Sequence, residues 1–124
     1  MRAIIGLCAV TLGAMSLHAE IAVETYQEAM TSSDKPTIEL MQSYVAGLGY
    51  GMAWTNGEAA KKNAPVYCPP EKMALALQNY IDILDRQIKR ITQSKTLTNE
   101  VLKTTPISLV LLGGLKDTFP CEGK

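Results

Sequence analysis

The side chains best equipped for chemistry in this chain are three cysteines, Cys8, Cys68 and Cys121, and one histidine, His18. Thiolates are nucleophiles and soft-metal ligands, and imidazole is the general base and metal ligand that works near neutral pH. Two of the four fall in a segment built like a secretory leader. Met1-Arg2 gives a positive start, Ala3 to Met15 an apolar run, and Ser16-Leu17-His18-Ala19 a small-residue end before Glu20. That order predicts export with cleavage after Ala19; Leu17 is bulky for its place, so Ser16 is the fallback. The apolar run is shorter than the roughly 20 residues needed to span a bilayer. Leu7, not a small residue, precedes Cys8, which argues against a lipid-modified leader.

Cleavage after residue 19 removes Arg2, Cys8 and His18, and leaves a domain over 20–124 with Cys68, Cys121 and no histidine. Ser-His and Cys-His nucleophilic arrangements then have no base. Two cysteines cannot complete a zinc site, and neither has a Cys-x-x-Cys neighbour to make it redox-active. No metal or cofactor is expected, and the chain reads as a non-enzyme. In an exported small domain the pair is expected to be bonded, Cys68 to Cys121. A loop of that length is worth about 4 kcal/mol in the chain-entropy model.

Other residues admit a functional and a bland reading. Asp82 and Asp85 could form a carboxylate pair, but Arg86 and Lys89 stand four residues on from each, the pattern of a solvated helix face. Gly47, Gly49 and Gly51 follow no strand and sit in a helical period, which excludes a nucleotide loop. Tyr50 and Trp54 read first as core packing and second as binding anchors. The polar stretch from Asn56 to Asn63, with Glu58, Lys61 and Lys62, reads first as a solvated connector. It is also the best place for a partner contact, with Trp54 at its root.

The leader-free chain carries 11 Lys+Arg (12 less Arg2) against 12 Asp+Glu, a net charge of −1. This balance gives no footprint for nucleic acid and no polybasic membrane patch. Periodicity is helical throughout and predicts an all-α fold, a small four-to-five-helix bundle stapled by one disulfide. A first helix is expected over about Ile21 to Met30. A second should run from Pro36 to Thr55, with Ile38, Met41, Val45, Leu48 and Met52 on one face and Asn56-Gly57 as its stop. Three glycines inside it suggest close packing against the backbone. Asn56 to Pro65 is expected to be an exposed loop or a short extra turn. A third helix is expected to open at Cys68-Pro69-Pro70-Glu71 and carry the stripe Met73, Leu77, Tyr80, Leu84, Ile88 and Ile91. Gln93 to Thr105 has room for a helical turn. The last helix, from Thr105-Pro106 to Phe119, is apolar on nearly all sides, so it is central or lies in a subunit contact.

Three pieces of this sequence, Tyr44-Val-Ala-Gly47, Tyr67-Cys68-Pro69 and Leu115-Lys-Asp-Thr-Phe119-Pro120-Cys121, occur in an order similar to that of the Rap/Tai immunity proteins of type VI secretion systems. The chain resembles that family over about residues 43–121. Its Gly47-Leu-Gly-Tyr-Gly51 run and Gly113-Gly114 pair exceed the family's pattern. The resemblance implies a periplasmic, disulfide-bonded helical protein that usually dimerises and covers the catalytic groove of a peptidoglycan amidase effector. It transfers no inhibitory residue, because the shared motif is structural. The competing expectation is a small periplasmic helical protein with a chaperone-like or other envelope role, for which the apolar last helix could supply binding surface.

Overall fold

In the computed structural model, which describes residues 20–122, five helices account for most of the chain: α1 (Val23–Met30), α2 (Lys35–Lys61), α3 (Leu77–Ser94), α4 (Asn99–Thr104) and α5 (Ile107–Thr118). The all-α fold and the Cys68–Cys121 disulfide are as the sequence predicts. Residues 1–19, for which a leader is expected, with Cys8 and His18, lie outside the described residues.

The last helix is the central one. Ile107, Val110, Leu111 and Leu115 of α5 are buried, and α3 lies along it with Tyr80, Ile83, Leu84 and Ile88 facing the same core. Gly114 sets how close the two come. A Cβ there would lie 2.8 Å from Ile83 Cγ2 and 3.2 Å from the Ile83 carbonyl oxygen. Met41 and Val45 of α2, and Val23 and Tyr26 of α1, close the remaining sides. Apolar burial of this kind, at about 25 cal/mol per Å², is the main favourable contribution to the fold.

The N-terminal end is fastened before α1 begins. Ile21, expected inside the helix, instead accepts a hydrogen bond from the Ile107 amide at 2.9 Å, and the Val23 amide donates to the Thr105 carbonyl at 3.0 Å. Ala22 and Pro106 thus form an isolated antiparallel bridge. Tyr26, one turn into α1, donates its hydroxyl proton to Asp85 Oδ1 of α3 at 2.8 Å. Burial first, and then that carboxylate, push the Tyr26 phenol well above its ordinary pKa. Asp82 accepts from Gln78 at 2.8 Å. The pairings of Asp82 with Arg86 and Asp85 with Lys89 are not among the ion pairs formed by the described residues.

α2 starts where its chemistry says it should. Asp34 caps it by accepting from the Thr37 amide at 3.1 Å, and Pro36 sits in the first turn, where no amide donor is needed. Its end differs from expectation. The helix continues through Asn56-Gly57 to Lys61, 27 residues in all. Asn56 does not stop the helix because its side chain turns inward and bonds a distant segment. Ala59, Ala60 and Lys61 favour helix strongly enough to carry Gly57 in the interior.

The start of α3 is corrected in the other direction. Cys68-Pro69-Pro70-Glu71 is not a first turn; the chain stays non-helical from residue 62 to 76, with turns closed by the Asn63 amide on the Ala60 carbonyl and by the Met73 amide on the Pro70 carbonyl, each at 2.9 Å. Two successive prolines disfavour the helical region for the residues before them and remove two donors. Met73 therefore leaves the predicted stripe and lies exposed, while Tyr80, Leu84 and Ile88 hold their places.

Only the middle glycine of α2 is packed. A Cβ on Gly49 would lie 2.5 Å from the Tyr80 ring, whereas one on Gly47 or Gly51 would meet nothing within 4 Å among the described residues. Gly49→Ala is accordingly expected to destabilise the fold by about 1–3 kcal/mol, because a buried ring must shift. Gly51→Ala, with open space and better helix propensity, should stabilise by up to about 1 kcal/mol. Denaturant midpoints of the two variants check this; equal midpoints would show that Tyr80 yields freely.

Candidate functional site

The C-terminal half of α2 and the non-helical segment 62–76 face each other and are joined through one side chain. Asn56 donates from Nδ2 to the Tyr67 carbonyl at 2.8 Å and accepts at Oδ1 from the amides of Val66 at 2.7 Å and Tyr67 at 3.2 Å. Its 9% exposure withdraws it from the predicted partner contact. The amide is structural because both of its polar ends are already engaged.

Below this join the segment is held by the disulfide, with Cα atoms 5.0 Å apart, and by the Cys68 amide on the Phe119 carbonyl at 2.8 Å. Two of the three motifs that carry the family resemblance, Tyr67-Cys68-Pro69 and Phe119-Pro120-Cys121, therefore meet in space. The third lies in α2, where the Tyr44 hydroxyl accepts from the Ile21 amide at 3.4 Å.

A cleft of about 560 Å³ opens between the two walls. Ala53, Gly57 and Ala60 line it from α2, Pro69, Met73 and Leu75 from the segment, with Tyr50, Tyr67 and Tyr80 between. The rings of Tyr50 and Tyr80 meet edge to face at 5.8 Å. Tyr67 is buried, and its hydroxyl has no hydrogen-bond partner among the described residues. Burial raises the phenol pKa of both Tyr67 and Tyr80, with a neighbouring tyrosine adding to each. The cleft is thus lined by uncharged, largely apolar side chains, a surface suited to taking an apolar protrusion.

The other predicted contact residues lie around this cleft but do not converge in it. Trp54 is 77% exposed, which overturns the core reading for that ring. Glu58 and Lys61 form an exposed ion pair at 2.6 Å one turn further along. Lys62 caps the helix end, and Asn63 adopts the left-handed conformation at φ 57° as the chain reverses. Asn is one of the few residues that accept this region cheaply. Reading the sequence missed Met73 and Tyr67 as cleft residues; the Pro69-Pro70 pair was the signal that this stretch is not helical. Among the described residues no group of three or more His, Cys, Asp or Glu side chains could hold a metal.

Fold and cleft define a class: a small all-helical protein whose one long irregular segment is locked by a disulfide. Neither the protein-family models, nor the curated proteins, nor the solved structures contain a match to the chain.

Proposed function

We propose that this chain is a periplasmic immunity protein that binds and inhibits a peptidoglycan amidase effector of a type VI secretion system, after removal of residues 1–19 as a signal peptide. The observation that carries this reading is the meeting of Tyr67-Cys68-Pro69 with Phe119-Pro120-Cys121 at one disulfide, beside an open apolar cleft. Separate pieces of the sequence that resemble the Rap/Tai family thus build one locked surface. A rigid surface of this kind binds with little ordering cost. The effector contact is the cleft and its rim, Met73 on one wall and Lys62 and Asn63 at the helix end. Blocking an enzyme requires only that this rim sit over the enzyme's groove.

The test is inhibition of a purified amidase encoded next to this gene by the leader-free protein. Met73→Asp and Lys62→Glu, in variants that still fold, are each expected to weaken binding at least tenfold, about 1.4 kcal/mol. If both stay within threefold, the contact lies elsewhere, with Gln93 to Thr104 next in line. If the unaltered protein binds no such amidase, the reading gives way to a small envelope protein with a chaperone-like role. The exposure of Leu40, Trp54 and Val66 favours that second reading.

A further inference from the structure

Between Pro70 and the start of α3 the backbone is left open. The Met73 amide is taken by the Pro70 carbonyl at 2.9 Å, and the Ala76 amide by the Asn79 side chain at 2.8 Å. Between these two, the amides of Ala74 and Leu75 and the carbonyls of Met73, Ala74 and Leu75 have no hydrogen-bond partner among the described residues. Met73 and Ala74 are exposed, Leu75 is half-buried, and all three line the cleft. Ala76 continues them in extended backbone, at φ −96° and ψ 170°. The stretch is also held in place. Leu75 packs on the core, and the disulfide at Cys68 and the Asn79 side chain fasten its two ends. The opposite wall is smooth. Ala53, Gly57 and Ala60 follow one another along α2 at steps of four and three, and a Cβ on Gly57 would meet nothing within 4 Å among the described residues.

We propose that the cleft takes its partner as an extended, uncharged segment that pairs backbone to backbone with Met73 to Leu75, in the manner of a strand added to the edge of a sheet. This deepens the function proposed above and rests on it for the identity of the partner, the segment then belonging to the amidase effector. Any protein that covers the cleft takes water away from the open amides and carbonyls, and each one left buried without a partner weakens the complex. A docking helix cannot replace that water, because its own backbone groups are already bonded along its length. A single inserted side chain replaces little of it. An extended segment presents donors and acceptors along its edge and serves several groups together. Its successive side chains point to opposite sides, so every second one can enter the cleft. Length agrees with this. Ala53 to Ala60 spans about 10 Å by helix rise, and three extended residues span about the same. Charge agrees too. No charged side chain lines the cleft, so a charged group entering it would stand unpaired.

The experiment uses the leader-free protein and a probe that needs no effector, a short end-capped peptide that alternates threonine with valine around one central phenylalanine. Two further copies of the peptide carry N-methyl groups on alternate residues, one copy along each edge of the strand. They keep every side chain and lose the donors of one edge. Saturable binding of the parent peptide is expected. One methylated copy should bind at least about tenfold more weakly and the other should match the parent, because only one edge faces the wall. Neighbouring amides of an extended chain face opposite sides, so one of Ala74 and Leu75 should exchange its hydrogen more slowly in the complex. No binding of the parent, equal affinity of the two methylated copies, or exchange unchanged at both amides would each overturn the proposal. The same amide should slow in the complex with a confirmed amidase effector. Inhibition without that slowing would overturn the extended segment and leave the function standing. Peptide binding as described with no amidase inhibited would leave the backbone pairing standing and sink only the function, in favour of the chaperone-like reading.

Discussion

Asn56→Ala is expected to lower the unfolding free energy by about 3 kcal/mol, a large effect for one uncharged side chain. The change removes one donor and one acceptor that together serve three backbone groups, the Tyr67 carbonyl and the amides of Val66 and Tyr67. Each backbone group left buried without a partner costs about 1–3 kcal/mol, and water entering the small cavity recovers part of that. Urea unfolding followed by circular dichroism measures the change. Hydrogen exchange at Val66 and Tyr67 shows whether the loss is local to the segment. A shift below about 1 kcal/mol would mean that the disulfide and the burial of the Tyr67 ring hold the segment unaided.

Cys121→Ser is expected to cost about 2–5 kcal/mol. The bond closes a loop with a sequence separation of 53, and its absence lets the unfolded chain explore far more conformations. A typical domain is stable by about 5–15 kcal/mol, so this is a substantial fraction of the whole. The amide of Cys68, bonded to the Phe119 carbonyl, should lose protection first. Combined with Asn56→Ala the two losses should not add, because both free the same residues 62–76. Strict additivity would show that the two fastenings act on independent parts of the fold. Unchanged stability in Cys121→Ser would show that the helices hold without their staple.

What was legible in the sequence was what neighbours decide. Asp34 and Pro36 set the start of α2 by contacts within one turn. The apolar density of α5 fixed its central place, and Cys68 and Cys121, the two cysteines among the described residues, are bonded to each other. What was not legible depended on partners far along the chain. Asn56-Gly57 has the chemistry of a helix stop and fails to be one because Asn56 meets a segment eleven residues away. Asp85 has a basic neighbour at helical spacing and instead accepts from Tyr26 across the fold. Met73 matched the spacing of the α3 stripe by coincidence, while the prolines before it argued otherwise. Trp54 was recoverable: the phase of Met41, Val45, Leu48 and Met52 puts residue 54 on the opposite side of the helix.

The bridge between Ala22 and Pro106 bears on the order in which this chain acquires its shape. A polypeptide leaves a ribosome, or a translocation pore, with its first residues foremost. The groups that receive Ile21 and Val23 are the backbone of Thr105 and Ile107, which emerge more than eighty residues later. Until they arrive the bridge that fastens the start of α1 cannot form, and an eight-residue helix on its own is marginal in water. The backbone just before α1 therefore waits for the segment just before α5. This fastening can close only after α1, α2, α3 and α4 have all emerged, whatever they have already formed among themselves.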